Sequence, residues 1–313
     1  MIIDMHAHVF AVNALSRLRK LYGDHVPRLT LNQPEFYDAK RRIAMMDENG
    51  VDIQVLSVTP GNFCYAEPPK AGIAISQAQN DAIYKMIADN PSRFIGSATV
   101  PLQNVEAAQQ ELERAVKDLS FTSVEIGTNV NGMNLDSPTL EPFYSTAEAL
   151  GVPIIVHPIN NAGADRMTHY YLGNIVGNPM ETTLAIGNVI FGGVLEKHRG
   201  LRFCWAHGGG FFPYQIGRFD HGYEVREEAR VNIEKPPSEY LDSMYYDTIT
   251  HGEAALSFLV KRMGADRVLF GTDFPWDMGE YDSIPMISEM RSLSDKEKAR
   301  VFEENSAKLF NKG

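Results

Sequence analysis

Cysteine is nearly absent: Cys64 and Cys204 are the only two in 313 residues. Two thiols build neither a disulfide framework nor a cysteine-based zinc site, and they fit a reducing cytoplasm. No uninterrupted apolar run approaches the roughly 18 residues of a membrane span. No basic-then-apolar leader precedes the first strand-like segment, so no signal peptide is expected. Positive charge is in deficit: 29 Lys and Arg against 40 Asp and Glu give a net charge of -11. That balance argues against nucleic acid and membrane as partners. It does not argue against a small anionic substrate, because local arginines override the global field. There is no repeat at a fixed period, no low-complexity tract and no Gly-x-Gly-x-x-Gly after the first strand, which counts against a doubly wound nucleotide-binding sheet.

What is present is a large apolar fraction, 44% of the chain, enough for one substantial core. The patterning predicts eight strands, at about 2–9, 51–58, 94–100, 123–127, 152–157, 201–207, 245–248 and 267–273. Several are continuous apolar runs, as strands buried on both faces are. Helices are expected between them: about 42–49, 73–90, 105–119, 137–150, 181–197, 211–230 and 252–263, with two more finishing the chain. Residues 10–42 are polar and mixed and are interrupted by Pro27 and Pro34. They read as an insertion after strand 1 able to fold over the site as a lid. Alternating β and α at this length predicts a single-domain α/β fold over 1–313, a distorted (β/α)8 TIM barrel.

The first strand ends in Asp4-Met5-His6-Ala7-His8. Residues i and i+2 of a strand share a side, so His6 and His8 are placed to bind one cation. In a barrel, functional groups collect at the carboxyl ends of strands. His157 ends strand five, His207 ends strand six and Asp273 ends strand eight. Each alone is an ordinary polar residue at a strand end; together, imidazoles and a carboxylate at one rim suit zinc with an open position. Manganese is compatible with the same ligand types.

With those residues in view, the chain resembles the amidohydrolase superfamily, in its aminocarboxymuconate-semialdehyde decarboxylase branch. The resemblance is carried by Asp4-Met5-His6-Ala7-His8, Val156-His157-Pro158, Ala206-His207-Gly208-Gly209-Gly210 and Gly271-Thr272-Asp273-Phe274-Pro275. Arg42-Ile43, Gly50-Val51-Asp52, Gly217-Arg218-Phe219-Asp220 and Pro236-Pro237-Ser238-Glu239-Tyr240 extend it along nearly the whole chain. It implies a single zinc held by His6, His8, His157 and Asp273, with His207 beside the metal's water as general base and Asp273 as its catalytic partner. Binuclear relatives use a carboxylated lysine on the fourth strand; here that strand offers Glu125, read as a packed strand residue, so one metal and no organic cofactor are expected. The resemblance also implies Arg42 and Arg218 as carboxylate clamps, Arg218 reaching in from a second subunit of a homodimer or higher oligomer. Guanidinium binds carboxylate with two prongs. Tyr170 and Trp276 stand where the decarboxylase carries tryptophan and phenylalanine, and both are expected to line the pocket. Arg166 is a weaker candidate, His251 is a candidate for pocket contact, and His25, His169, His198 and His221 are assigned no role.

The expected activity is metal-dependent, non-oxidative decarboxylation of an unsaturated or aromatic carboxylic acid. The alternative is hydrolysis or hydration of a lactone, amide or unsaturated acid by the same activated water. A third reading, a non-catalytic metal-binding or assembly protein, predicts no turnover at all.

Overall fold

The computed structural model describes residues 1–25 and 33–310. Residues 26–32 of the expected insertion, Pro27 among them, and the last three of the 1–313 domain lie outside the described residues. Eight parallel strands follow one another in chain order: Ile3–Val9, Ile53–Val58, Phe94–Thr99, Ser123–Gly127, Ile154–His157, Phe203–Trp205, Met244–Asp247 and Val268–Leu269. Main-chain hydrogen bonds close the circle: Met5 N donates to Phe270 O at 2.9 Å, Asp273 N to His6 O at 2.9 Å and His8 N to Phe274 O at 2.6 Å. The architecture is the expected (β/α)8 barrel.

Two apolar layers hold it. Inside the barrel, Ile3, Met5, Ile53, Val55, Ile95, Ile155, Tyr245 and Leu269 pack with Leu309 and Phe310 of the C-terminal helix. Outside, alternate residues of the same strands, among them Leu56, Ala98, Ile126, Ile154 and Phe203, pack against the helices. The free thiol of Cys204 belongs to the inner layer and that of Cys64 is half-buried.

The first strand contains the detail that matters most. Ile3 pairs with Ile53 and Asp4 with Gln54, but the next partners are Ala7 and Leu56, so the first strand holds one extra residue. This β-bulge shifts the inward parity. Ile3 and Met5 face the barrel interior, whereas beyond the bulge Val9 packs in the outer layer. His6 and His8 thereby join the interior face that an unbroken alternation from Ile3 would have denied them.

Several boundaries differ from those expected. Helix Pro69–Asp89 starts four residues early, on the prolines that favour a first turn. The expected 181–197 helix is two, Asn178–Phe191 and Val194–Lys197, split where Gly193 takes φ 76°. Strands six and eight stop at Trp205 and Leu269, short of His207 and Asp273, because those two residues adopt left-handed φ of 55° and 60°, which ends a ladder. The 10–42 segment contains an unexpected helix, Val12–Tyr22, whose Leu15 packs on Ala71 and Ile75. No helix among the described residues is long and apolar enough to cross a membrane.

Candidate metal centre and its cavity

Each of the three expected histidine ligands has its Nδ1 committed to the protein. His6 Nδ1 meets Asp247 Oδ2 at 2.7 Å, His8 Nδ1 meets Val58 O at 3.2 Å, and His157 Nδ1 meets Pro158 O at 3.1 Å. All three acceptors require a proton on Nδ1, which leaves the Nε2 lone pairs free. Those lone pairs converge. His6 Nε2 and His8 Nε2 are 3.0 Å apart, and His8 Nε2 lies 3.0 Å from Asp273 Oδ1. One ligand atom from each of His6, His8, His157 and Asp273 falls within a span of 4.8 Å, and all four residues are buried. His157 Nε2 and Asp273 Oδ1 have no hydrogen-bond partner. Buried acceptors facing each other at these distances are satisfied by a shared cation and by little else.

Asp247 organises the centre, and sequence reasoning gave it no role. Besides holding His6, it accepts from the backbone N–H groups of His207 at 2.9 Å, Gly208 at 2.7 Å and Ile249 at 3.1 Å. It ends strand seven at the same rim as the ligands, the one signal that would have found it. His207 opens the turn His207–Gly210, in which all four residues have positive φ. A Cβ at Gly210 would sit 2.1 Å from Pro179 O, and one at Gly209 would sit 2.6 Å from the Tyr246 ring. Only glycine fits there, and the turn delivers His207 Nε2 to 3.6 Å from Asp273 Oδ2, the oxygen opposite the ligand cluster.

Asp4, also given no role from sequence, braces the outside of the first strand. It accepts from Thr272 N and Oγ1, Gln54 Nε2 and His6 N. Burial raises its pKa to about 6 even so.

The electrostatics suit a positive guest. Burial alone would raise Asp273, yet the surrounding imidazoles of His207, His8 and His6 hold it well below the ordinary carboxylate range. Burial and then the charges of His207, His6 and His8 push His157 well below its usual value. His6 goes the other way: burial lowers it, but the Asp247 hydrogen bond and the charges of Asp273, Asp247 and Glu125 carry it to about 9.

Glu125 is fully buried on the inner face of strand four. Neither carboxyl oxygen has a hydrogen-bond partner, and the same holds for Ser97 Oγ, Thr99 Oγ1 and Ser123 Oγ beside it. Burial drives Glu125 to about 8 against the pull of the His6 charge. It is not one of the clustered ligands.

His157 and Asp273 of the cluster open onto a cavity of about 580 Å³ whose lining also includes His207, Tyr171 and Trp276. Trp276 is where sequence reasoning expected it, packed edge-on against Phe36 of the 10–42 segment. Tyr170 is not: it is 87% exposed, and its neighbour Tyr171 lines the cavity instead. The two share left-handed φ, so the turn hands the inward position to the second tyrosine. Arg42 is also displaced from its expected post. It is fully buried outside the barrel, donating to His8 O, Glu35 O and Gln54 Oε1, with its guanidinium over the Phe274 ring. It does not line the cavity. Arg218 and Arg166 are exposed and equally outside it. His251 lines a second cavity of about 520 Å³ that shares His207 and Asp273 with the first. Backbone strain gathers here: of nine non-glycine residues with positive φ among the described residues, Cys64, Asn131, Asn160, Tyr171, His207 and Asp273 line the first cavity, as strained residues tend to do at functional sites.

Residues 3–312 match a family model described as Amidohydrolase. The chain is 36% identical to 2-amino-3-carboxymuconate-6-semialdehyde decarboxylase of Dictyostelium discoideum, over 98% of this chain and 91% of that protein. It is 29% identical to gamma-resorcylate decarboxylase of a Polaromonas species, over 86% of each. The crystal structure of 5-carboxyvanillate decarboxylase from Novosphingobium aromaticivorans, complexed with manganese and 4-hydroxy-3-methoxy-5-nitrobenzoic acid, matches with a TM-score of 0.88 at 24% identity, covering 99% of this chain and 96% of that one. At that identity the likeness is one of fold.

Proposed function

The chain belongs to the amidohydrolase family, and from that membership we infer that it is a metal-dependent, non-oxidative decarboxylase of an unsaturated or aromatic carboxylic acid. The observation that carries the inference is the convergence of three Nε2 lone pairs and one carboxylate oxygen beside His207, at the floor of a cavity. His6, His8, His157 and Asp273 would hold the metal. Three imidazoles and a carboxylate favour zinc, with manganese the competitor. A divalent cation there supplies Lewis-acid charge to an oxygen ligand.

The remaining chemistry falls to the chain's own residues. The net reaction exchanges CO2 for a proton at one carbon, so a proton must be held beside that carbon. His207, partly buried at the cavity wall with Nε2 toward Asp273 Oδ2, is placed to carry it, and Asp273 is placed to steady the imidazolium that results. Trp276 and Tyr171 offer aromatic faces to an unsaturated substrate. The cavity contains no arginine or lysine among its described lining residues. A substrate carboxylate therefore needs the metal and a donor from outside the chain, which we assign to Arg218 of a second copy in a homodimer or higher oligomer. Arg42 supports the frame instead. The two free thiols accord with a cytoplasmic setting.

The test is CO2 release by protein loaded separately with zinc and manganese, offered hydroxybenzoate, carboxyvanillate and aminocarboxymuconate-type acids, with metal content measured on the purified protein. Release from at least one acid, abolished by chelation, is expected. Hydrolysis of a lactone panel without CO2 would move the assignment to a hydrolase.

A further inference from the structure

The second cavity, of about 520 Å³, lies beside the first, and the two share His207, Asp273 and Met278. A molecule whose reacting carbon stands at His207 therefore faces both. The first cavity has Asp24, Glu67 and Asp277 in its wall. The second is of another character. Its floor is Pro213, Ile249 and Leu259, all buried, and its rim is Phe211, Tyr214 and Phe258, all exposed. No lysine, arginine or glutamate lines it among the described residues.

The apolar floor starts directly beside the reacting centre. Ile249 N donates at 3.1 Å to Asp247, the carboxylate that also seats His207. Gly208 follows His207 in the chain and has the floor against it: a Cβ there would meet Thr250 Cγ2 at 3.0 Å and Leu259 Cδ2 at 3.6 Å. Buried Glu280 fixes this wall, its Oε2 accepting from the backbone nitrogens of Thr250 and His251, both at 3.1 Å. A preformed apolar hollow with a few fixed polar groups is the usual form of a small-molecule site, and the aromatic rim adds contact area.

We propose that the second cavity is a subsite for an apolar arm of the substrate, a hydrocarbon chain or second ring attached beside the carbon that loses CO2. This rests on the decarboxylase reading, which puts that carbon at His207. An acid without such an arm fills only the first cavity. Burying the arm removes apolar surface from water on both partners, so it adds affinity without a further ligand to the metal. His251, in the wall of this cavity, then borders the arm and not the departing carboxylate.

The experiment measures binding by calorimetry, and CO2 release in parallel, on the zinc-loaded protein with 2-hydroxybenzoate and its 6-ethyl, 6-propyl and 6-pentyl derivatives. Affinity is expected to climb about fourfold for each methylene added. Ala255 lines the same cavity from the exposed side of the helix Glu253–Met263. Ala255→Trp fills the space and should abolish the climb while metal content and melting temperature hold. Phe258→Ala, which opens the rim, should roughly halve the gain per methylene. A climb without CO2 release from any member would sustain the subsite and overturn the decarboxylase reading. A flat series with CO2 release would do the reverse. A climb that survives Ala255→Trp would overturn the proposal by placing the arm elsewhere. So would a flat series together with an Ala255→Trp protein whose oligomeric state changes in light scattering, which would give the cavity to a second copy of the chain.

Discussion

Asp247 Oδ2 stands 2.7 Å from His6 Nδ1 and 2.9 Å from the backbone nitrogen of His207, so one carboxylate sets both a ligand's tautomer and the seat of the proposed base. Carboxylates behind metal-bound histidines typically contribute 10- to 100-fold in affinity. Asp247→Ala should weaken metal binding by about that factor, read by chelator competition, and should lower kcat even at saturating metal. A variant with full affinity and lowered kcat would mean that Asp247 serves His207 alone.

The proposed ligand and the proposed base are separable by mutation. His157→Ala removes one of four converging atoms and should strip the metal on purification. His207→Ala should keep the metal and lose turnover by about 10²–10⁴, the range of general acid–base contributions. Metal analysis beside single-turnover rates decides it; equal metal loss in both would place His207 among the ligands.

The proposed reach of Arg218 into a second subunit predicts complementation. Arg218→Ala and His207→Ala oligomers, each inactive, should regain roughly a quarter of wild-type activity when unfolded together and refolded as a mixture, because a hybrid dimer carries one intact site. No recovery would confine Arg218 to its own subunit.

Above pH 6.5, where the lowered His157 and His8 are neutral in both folded and unfolded chains, stability of the metal-free protein should fall as pH rises. Glu125, pushed up to about 8, keeps its proton in the folded state after the unfolded chain has lost it near 4.5. The native state therefore holds more protons across that window, and stability declines through it. His6, at about 9 against an ordinary 6.5, adds a stabilisation fully present below 6.5 and lost as pH passes 9. Glu125→Gln removes the first contribution, so at pH 9 the metal-free variant should exceed wild type by on the order of 2–4 kcal/mol. Parallel melting curves from pH 5 to 9 would contradict this.

Arg42→Ala should act on folding. Its loss leaves His8 O, Glu35 O and Gln54 Oε1 without their donor, at a cost of about 3–5 kcal/mol. Urea unfolding should register it. A normal midpoint with a raised KM would return Arg42 to the substrate.

The frame of this site was readable in the residues. Apolar runs marked the strands, and the rim positions of His6, His8, His157, His207 and Asp273 followed from barrel geometry. What escaped was decided by tertiary context. Asp247 carries no local signature, because its four donors come from three different stretches of chain. The bulge that turns His6 inward appears only as a slipped register between two strands. Tyr171 displaces Tyr170 through a turn whose φ values no propensity foretells. Arg42 was placed by analogy with a carboxylate binder, and its buried position outside the barrel depends on Asp4 and Gln54 forming a polar seam there.

That seam joins positions 268 apart in sequence, where Thr272 donates to Asp4. A nascent chain emerging from the ribosome thus displays two imidazoles at once but cannot assemble the four-ligand cage until the eighth strand arrives. Capture of the proposed ion therefore waits on the eighth strand, and fragments that stop before Asp273 should be unable to retain it.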